Sequence, residues 1–150
     1  MIILQSLFAV FKIQLKRKNM KITFEGKKKV IAEFNGHRIV TDQPVRAGGE
    51  GSAPAPFDLF LASLGTCAGI YVKSFCEQRG ISTDGISLEQ EMKYNAETRM
   101  IGGVEIRIIL PETFPEKYRD AVINAANLCA VKKHLHNAPE MKVVTEVRSV

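Results

Sequence analysis

The chain has 150 residues, 45% hydrophobic and 25% charged, enough to bury a core within one domain and too apolar for a disordered tail. Its formal net charge of +5 would suggest a polyanion partner if the excess covered one face. However, Lys12, Lys16, Arg17 and Lys18 stand in the first 20 residues without an acid, and taking those 4 from 21 bases leaves 17 against 16 acids. The near-neutral remainder argues against nucleic acid as a partner.

The stretch from Ile2 to Leu15 is apolar but interrupted by Lys12, which leaves it short of the roughly 20 residues of a spanning helix. Its charges follow the apolar run, the reverse of a secretory signal. Residues 1–19 are therefore read as an extension that packs on a neighbour, with membrane attachment as the alternative, and residues 20–150 as one domain. Cys67, Cys76 and Cys129 are odd in number and lack the dense spacing of a secreted disulfide scaffold. A reducing, cytoplasmic setting is expected.

Along the chain, Val30–Phe34 and His37–Thr41 flank Asn35-Gly36, a dipeptide that tolerates positive φ at both turn positions and so closes a hairpin. Two antiparallel strands are expected to begin the fold. The run from Pro44 to Pro56 is rich in Gly, Ala and Pro and reads as a loop, and loops of this length often carry function. Pro56 suits the first turn of a helix and Gly80 the residue just past its end. Between them Phe57, Phe60, Leu64, Cys67, Tyr71 and Phe75 recur every three or four residues as one apolar stripe. Ile86, Leu88, Met92 and Tyr94, then Val104, Ile106, Ile108 and Leu110, alternate with polar residues, which predicts two half-buried strands joined by Asn95–Gly103. Thr113 and Glu116 have the spacing of a capping box, with Pro115 in the first turn. The helix they predict carries Tyr118, Val122, Ala125 and Cys129 along one face. Met141 to Val147 reads as a last strand.

Two of these stretches, PFDLFLASLGTCAGIYV around Cys67 and NLCAVKKHL around Cys129, resemble the OsmC and organic hydroperoxide resistance (Ohr) family, on its divergent OsmC-like branch. The likeness spans about residues 21–150. It is most specific at Ala62, Ser63, Gly65 and Thr66 before Cys67, and at Cys129 with Val131. It implies an α+β fold in which antiparallel sheets wrap around two long central helices in an intertwined homodimer, with the sites at the interface. It further implies a thiol-dependent peroxidase of stress defence, reducing organic hydroperoxides with Cys67 as the peroxidatic thiol and Cys129 as the resolving one. An external thiol or dithiol reductant would reset the pair. By the same resemblance Arg46 is the arginine of the site. The glutamate that accompanies it would directly follow Pro56, where this chain has Phe57, so Asp58 or Glu50 would have to replace it.

The chemistry asks for these residue types. Only a thiolate attacks an O–O bond, yet a free cysteine with a pKa of about 8.5 is mostly protonated at neutral pH, and burial raises the value further. A cation such as Arg46 would oppose burial and hold the developing alkoxide by charge-assisted hydrogen bonds. Attack leaves a sulfenic acid on Cys67, which condenses with Cys129 to a disulfide if the Cα atoms come within about 7 Å. Phe57 and Phe60 would make the pocket apolar enough to favour organic hydroperoxides. Nothing in this chemistry requires a metal, a flavin or another cofactor.

Each assignment has a plainer counterpart. A cysteine on an apolar stripe is also a small hydrophobe, Arg46 a solvated loop residue, and Phe57 and Phe60 core. Cys76 matches no family position and reads as structural. Gly48-Gly49-Glu50-Gly51 lacks the Lys-Ser or Lys-Thr of a phosphate loop. Cys129, His134 and His136 are metal-capable, but residues 134 and 136 point about 200° apart on a helix. The other functional reading is a non-catalytic dimer of the same fold that binds a small apolar ligand or senses redox state.

Overall fold

The computed structural model describes residues 19–149, and the expected extension at residues 1–19 lies outside them except for Asn19. Two compact units divide between Leu59 and Phe60. The N-terminal unit holds an antiparallel sheet of β1 (Lys21–Glu25), β2 (Lys29–Phe34) and β3 (His37–Thr41), in that order. Asn35 (φ 50°) and Gly36 (φ 78°) close the β2–β3 hairpin with Phe34 opposite His37, as the Asn-Gly dipeptide requires. Strand β1 is an addition to the expected pair. Its residues Ile22 and Phe24 are exposed, so it carries little of the burial signal on which strand recognition depends.

The run after β3 is loop, as its composition demands, apart from a 3₁₀ turn at Val45–Ala47. It is pinned from below by Asp42, which has no exposed surface. The Asp42 carboxylate accepts the N–H groups of Gln43 at 2.8 Å, Ser52 at 3.0 Å and Glu50 at 3.2 Å, and the Ser52 hydroxyl at 2.8 Å. These bonds, that from the Ser52 N–H foremost, outweigh burial and hold the carboxyl down at about 2. Gly49 passes so close that a Cβ there would stand 1.9 Å from the Gln43 carbonyl oxygen.

Helix α1 (Pro56–Glu77) begins in the first unit and runs into the second. Its boundaries match the Pro56 and Gly80 signals, with Gly80 at φ 63°. Among the described residues it alone has the length and apolar composition of a membrane span. Its buried residues are Leu64, Ala68, Val72, Phe75 and Cys76, whereas Phe57 and Phe60 are 55% and 37% exposed. The buried line is therefore rotated from the expected stripe, toward the surface that packs against Val72, Phe75 and Cys76.

That surface is the antiparallel pair β4 (Ser87–Asn95) and β5 (Met100–Ile109), running from Ser87 opposite Ile109 to Asn95 opposite Met100. The connection is tighter than the expected Asn95–Gly103, because the Asn95 side chain accepts the N–H groups of Glu97 at 2.9 Å and Thr98 at 3.0 Å. Gly102 and Gly103 belong to the strand, at a register shift opposite Lys93 and Tyr94. Val72, Phe75 and Cys76 of α1 meet Phe114 and Val122 in the core, with Leu88 and Ile108 packed beside them.

The expected second helix is corrected in two ways. No capping box forms, since Pro115 takes the cap position without a side-chain bond. Instead the Phe114 N–H closes a turn onto the Pro111 carbonyl and drives the Phe114 ring into the core at 3% exposure. The helix itself is broken into a 3₁₀ turn at Glu116–Tyr118, α2 (Arg119–Ala126) and α3 (Ala130–His136). The last expected strand, Met141–Val147, is also corrected. Residues 138–149 form neither helix nor strand, and Met141, Val143 and Val147 are 88%, 96% and 98% exposed. Strand structure needs a partner edge, and no described strand pairs with this segment.

Candidate functional site

The break between α2 and α3 makes the site. Between them the chain tightens, with Leu128 N–H bonding the Ala125 carbonyl at 3.0 Å and Cys129 N–H that of Ala126 at 3.3 Å. Cys129 then leaves helical geometry with φ −44° and ψ 123° and becomes the cap of α3. The first N–H groups of a helix have no partner within it, so the break turns three of them toward sulfur. The Lys132 N–H bonds Cys129 Sγ at 3.5 Å, and those of Val131 and Ala130 act on the Cys67 thiol to lower its pKa.

Cys67 reaches this place from the middle of α1. The side-chain nitrogen of Gln90 on β4 donates to the Leu61 carbonyl at 3.0 Å. Gly65 leaves room for that contact, because a Cβ there would lie 3.0 Å from Gln90 Oε1. The turn preceding Cys67 is thereby docked on the sheet.

The structure thus brings Cys67 and Cys129 together, both as free thiols. Their acidities are pushed apart. The Val131 N–H lowers the Cys67 value against the effect of burial, with help from the Cys129 thiol and the Ala130 N–H. Burial raises the Cys129 value, as does its bond to Cys67. Cys67 is accordingly the more acidic thiol of the pair and Cys129 the less acidic one. Beside them opens a cavity of about 940 Å³. Cys129 lines it together with apolar residues such as Leu64, Ala68, Ile106 and Val122.

Of the other expected site residues, Arg46, Glu50, Phe57 and Asp58 belong to the first unit and Phe60 to the second. Arg46 lies in the 3₁₀ turn of the N-terminal unit. Glu50 pairs with Lys29 at 2.9 Å, and Asp58 accepts the Ala55 N–H at 3.0 Å at the start of α1. Both candidate acids therefore have local duties. Neither Phe57 nor Phe60 lines the cavity. His134 bonds the Ala130 carbonyl through Nδ1 at 2.7 Å, and among the described residues no three His, Cys, Asp or Glu side chains gather as a metal site. Sequence reasoning missed the N–H groups of Ala130 and Val131, Lys132 and Asp42. Only Asn127, a helix-stopping residue just before Cys129, offered a signal.

The fold and the paired thiols define a class, an α+β domain with two cysteines on separate helices. The family of OsmC-like proteins matches residues 49–144, and the chain belongs to it. Among solved structures it is similar to a Psychrobacter arcticus protein described as an osmotic stress induced and detoxification response protein. That likeness has 28% identity and a TM-score of 0.65, over 76% of this chain and 85% of that one. It also shares its fold with an organic hydroperoxide resistance protein, OsmC, of Legionella pneumophila, at 19% identity and TM-score 0.52 over 81% and 90% of the two chains. An OsmC-like protein of Mycoplasma pneumoniae matches at 14% identity and TM-score 0.56 over 83% and 90%. Among curated proteins there is no significant match.

Proposed function

We propose that this protein is a cytoplasmic, thiol-dependent peroxidase of stress defence that reduces organic hydroperoxides. The observation that carries this reading is the free thiol of Cys67 beside that of Cys129, which caps α3 and takes the Lys132 N–H at 3.5 Å. Cys67 as thiolate attacks the terminal oxygen of the hydroperoxide, the O–O bond breaks, and an alcohol leaves. The sulfenic acid on Cys67 condenses with Cys129, expelling water, and an external thiol or dithiol supplies the two electrons that restore both thiols. The apolar cavity supports an organic over an inorganic substrate. Arg46 enters by family resemblance, as the cation that would steady the alkoxide, with Asp58 or Glu50 as its acid. Phe57 and Phe60 enter likewise as apolar pocket residues.

The protein acts as a homodimer in this reading, which the exposed apolar residues Ile70, Met141, Val143 and Val147 support. It needs neither a cofactor nor nucleic acid or membrane as partner. The cavity also favours a second reading, a non-catalytic dimer that binds a small apolar ligand or senses redox state. Consumption of an organic hydroperoxide with a dithiol reductant tests both. Turnover in the wild type that disappears in Cys67→Ser and falls in Cys129→Ser supports the peroxidase, and a wild type without turnover overturns it.

A further inference from the structure

The peroxidase reading leaves two protons unaccounted for. The alkoxide released from the hydroperoxide has to gain one, and Cys129 has to lose one before it attacks Cys67. We infer that Cys129 is the general acid of the first step, giving its thiol proton to the departing alkoxide, and becomes the resolving nucleophile only as a result. This inference rests on the peroxidase reading and adds a role to one of its residues.

Geometry supports it from three sides. Cys129 is 3% exposed and lines the cavity, so the oxygen bearing an alkyl group seated there lies on the Cys129 side. The terminal oxygen is then left to Cys67. The Cys129 thiol is close enough to Cys67 to lower its pKa. The Lys132 N–H at 3.5 Å from Cys129 Sγ is placed to hold the negative charge that remains after the proton has gone. One cation that lines the same cavity, the Lys132 ammonium, is committed to Asn127 Oδ1 at 2.7 Å.

The step balances. Cys67 thiolate forms an S–O bond to the terminal oxygen, the O–O bond breaks, and its electron pair stays on the alkoxide. The alkoxide takes the Cys129 proton and departs as an alcohol. Cys129 thiolate then attacks the Cys67 sulfur, the S–S bond forms, and hydroxide leaves to be protonated by solvent. The two sulfurs have lost two electrons and the hydroperoxide has gained them. Burial, which keeps Cys129 protonated in the resting protein, becomes useful rather than an obstacle, because the substrate itself removes the proton.

The test is a single turnover without reductant. The full-length chain is mixed with tert-butyl hydroperoxide and quenched with an alkylating agent, and unreacted Cys67 is counted by mass spectrometry across pH. The comparison uses the plateau above the Cys67 pKa, where loss of the Cys129 hydrogen bond no longer changes the thiolate fraction. If Cys129 is the acid, Cys129→Ala lowers the plateau rate constant about a hundredfold, the lower end of general acid catalysis. Cys129→Ser, whose hydroxyl can donate but cannot form a disulfide, recovers part of the loss. The wild type should also react more slowly in D₂O, a readout that needs no variant. An unchanged plateau in a folded Cys129→Ala protein overturns the inference and leaves the peroxidase intact, whereas a wild type whose Cys67 survives hydroperoxide overturns the peroxidase reading itself.

Discussion

Cys76 and Cys67 stand on the same helix, both shielded, yet they are poised in opposite directions. Cys76 has no exposed surface and packs with Val72, Phe75, Phe114 and Val122. Burial pushes its thiol up, with only a partial offset from Arg79. Cys67 also pays for burial, but faces the free N–H groups of a helix start and the Cys129 thiol, and its value comes down. The difference shows that a place on one apolar helix does not by itself decide a cysteine's reactivity. What decides it is whether the opposing surface offers side-chain carbons or unsatisfied backbone donors.

Variants break this comparison in order of severity. Cys67→Ser should reduce hydroperoxide turnover to background in the dithiol-coupled assay. Phe114→Ala removes a ring buried beside Cys76 and should cost about 3–5 kcal/mol in urea or thermal unfolding, with the helix break untouched if the two regions are independent. Ala130→Pro sharpens the contrast from the other side. Proline suits the first helical position, and Cys129 already has the extended ψ that precedes proline. The substitution deletes one N–H from Cys67, so the thiol value rises and alkylation at pH 7 slows about three- to tenfold, each unit of pKa being tenfold in thiolate. The rate at high pH should be unchanged.

A smaller effect belongs to the loop anchor. The Asp42 carboxyl is held at about 2, below its unfolded value of about 3.9. A lowered value stabilises the fold above the unfolded pKa and loses that contribution as pH falls. The stability gap between wild type and Asp42→Asn should therefore be widest at neutral pH and close between about pH 4 and pH 2. An acid limb identical in both proteins would deny Asp42 its clamp. The smallest change is expected of Cys76→Ala, which should leave peroxide turnover within about twofold while unfolding shifts modestly.

How much was legible follows from the range of each signal. The β2–β3 hairpin was readable because Asn35-Gly36 is a complete local instruction. Helix α1 was readable because Pro56, an apolar periodicity and Gly80 agree. The broken helix was not, since Tyr118, Val122, Ala125 and Cys129 satisfy the spacing of an unbroken one, and what cuts it is a turn at Asn127 to Cys129. The meeting of Cys67 and Cys129 came only from family resemblance, because no local pattern links residues on separate helices. Asp42 escaped notice because its partners Glu50 and Ser52 come eight and ten residues later, beyond the reach of a turn rule. The C-terminal strand was patterned correctly and still failed to form, because a pattern does not supply a neighbour.

That unformed strand sets a condition on how the molecule can be handled. A segment presenting methionine and valines in alternation, with all its backbone groups unclaimed, is adhesive toward any open sheet edge. If its proper mate is a second copy, the melting temperature should climb as the solution is concentrated, because mass action then holds the tails in place. Deep dilution would leave each chain prone to stick wherever it first touches.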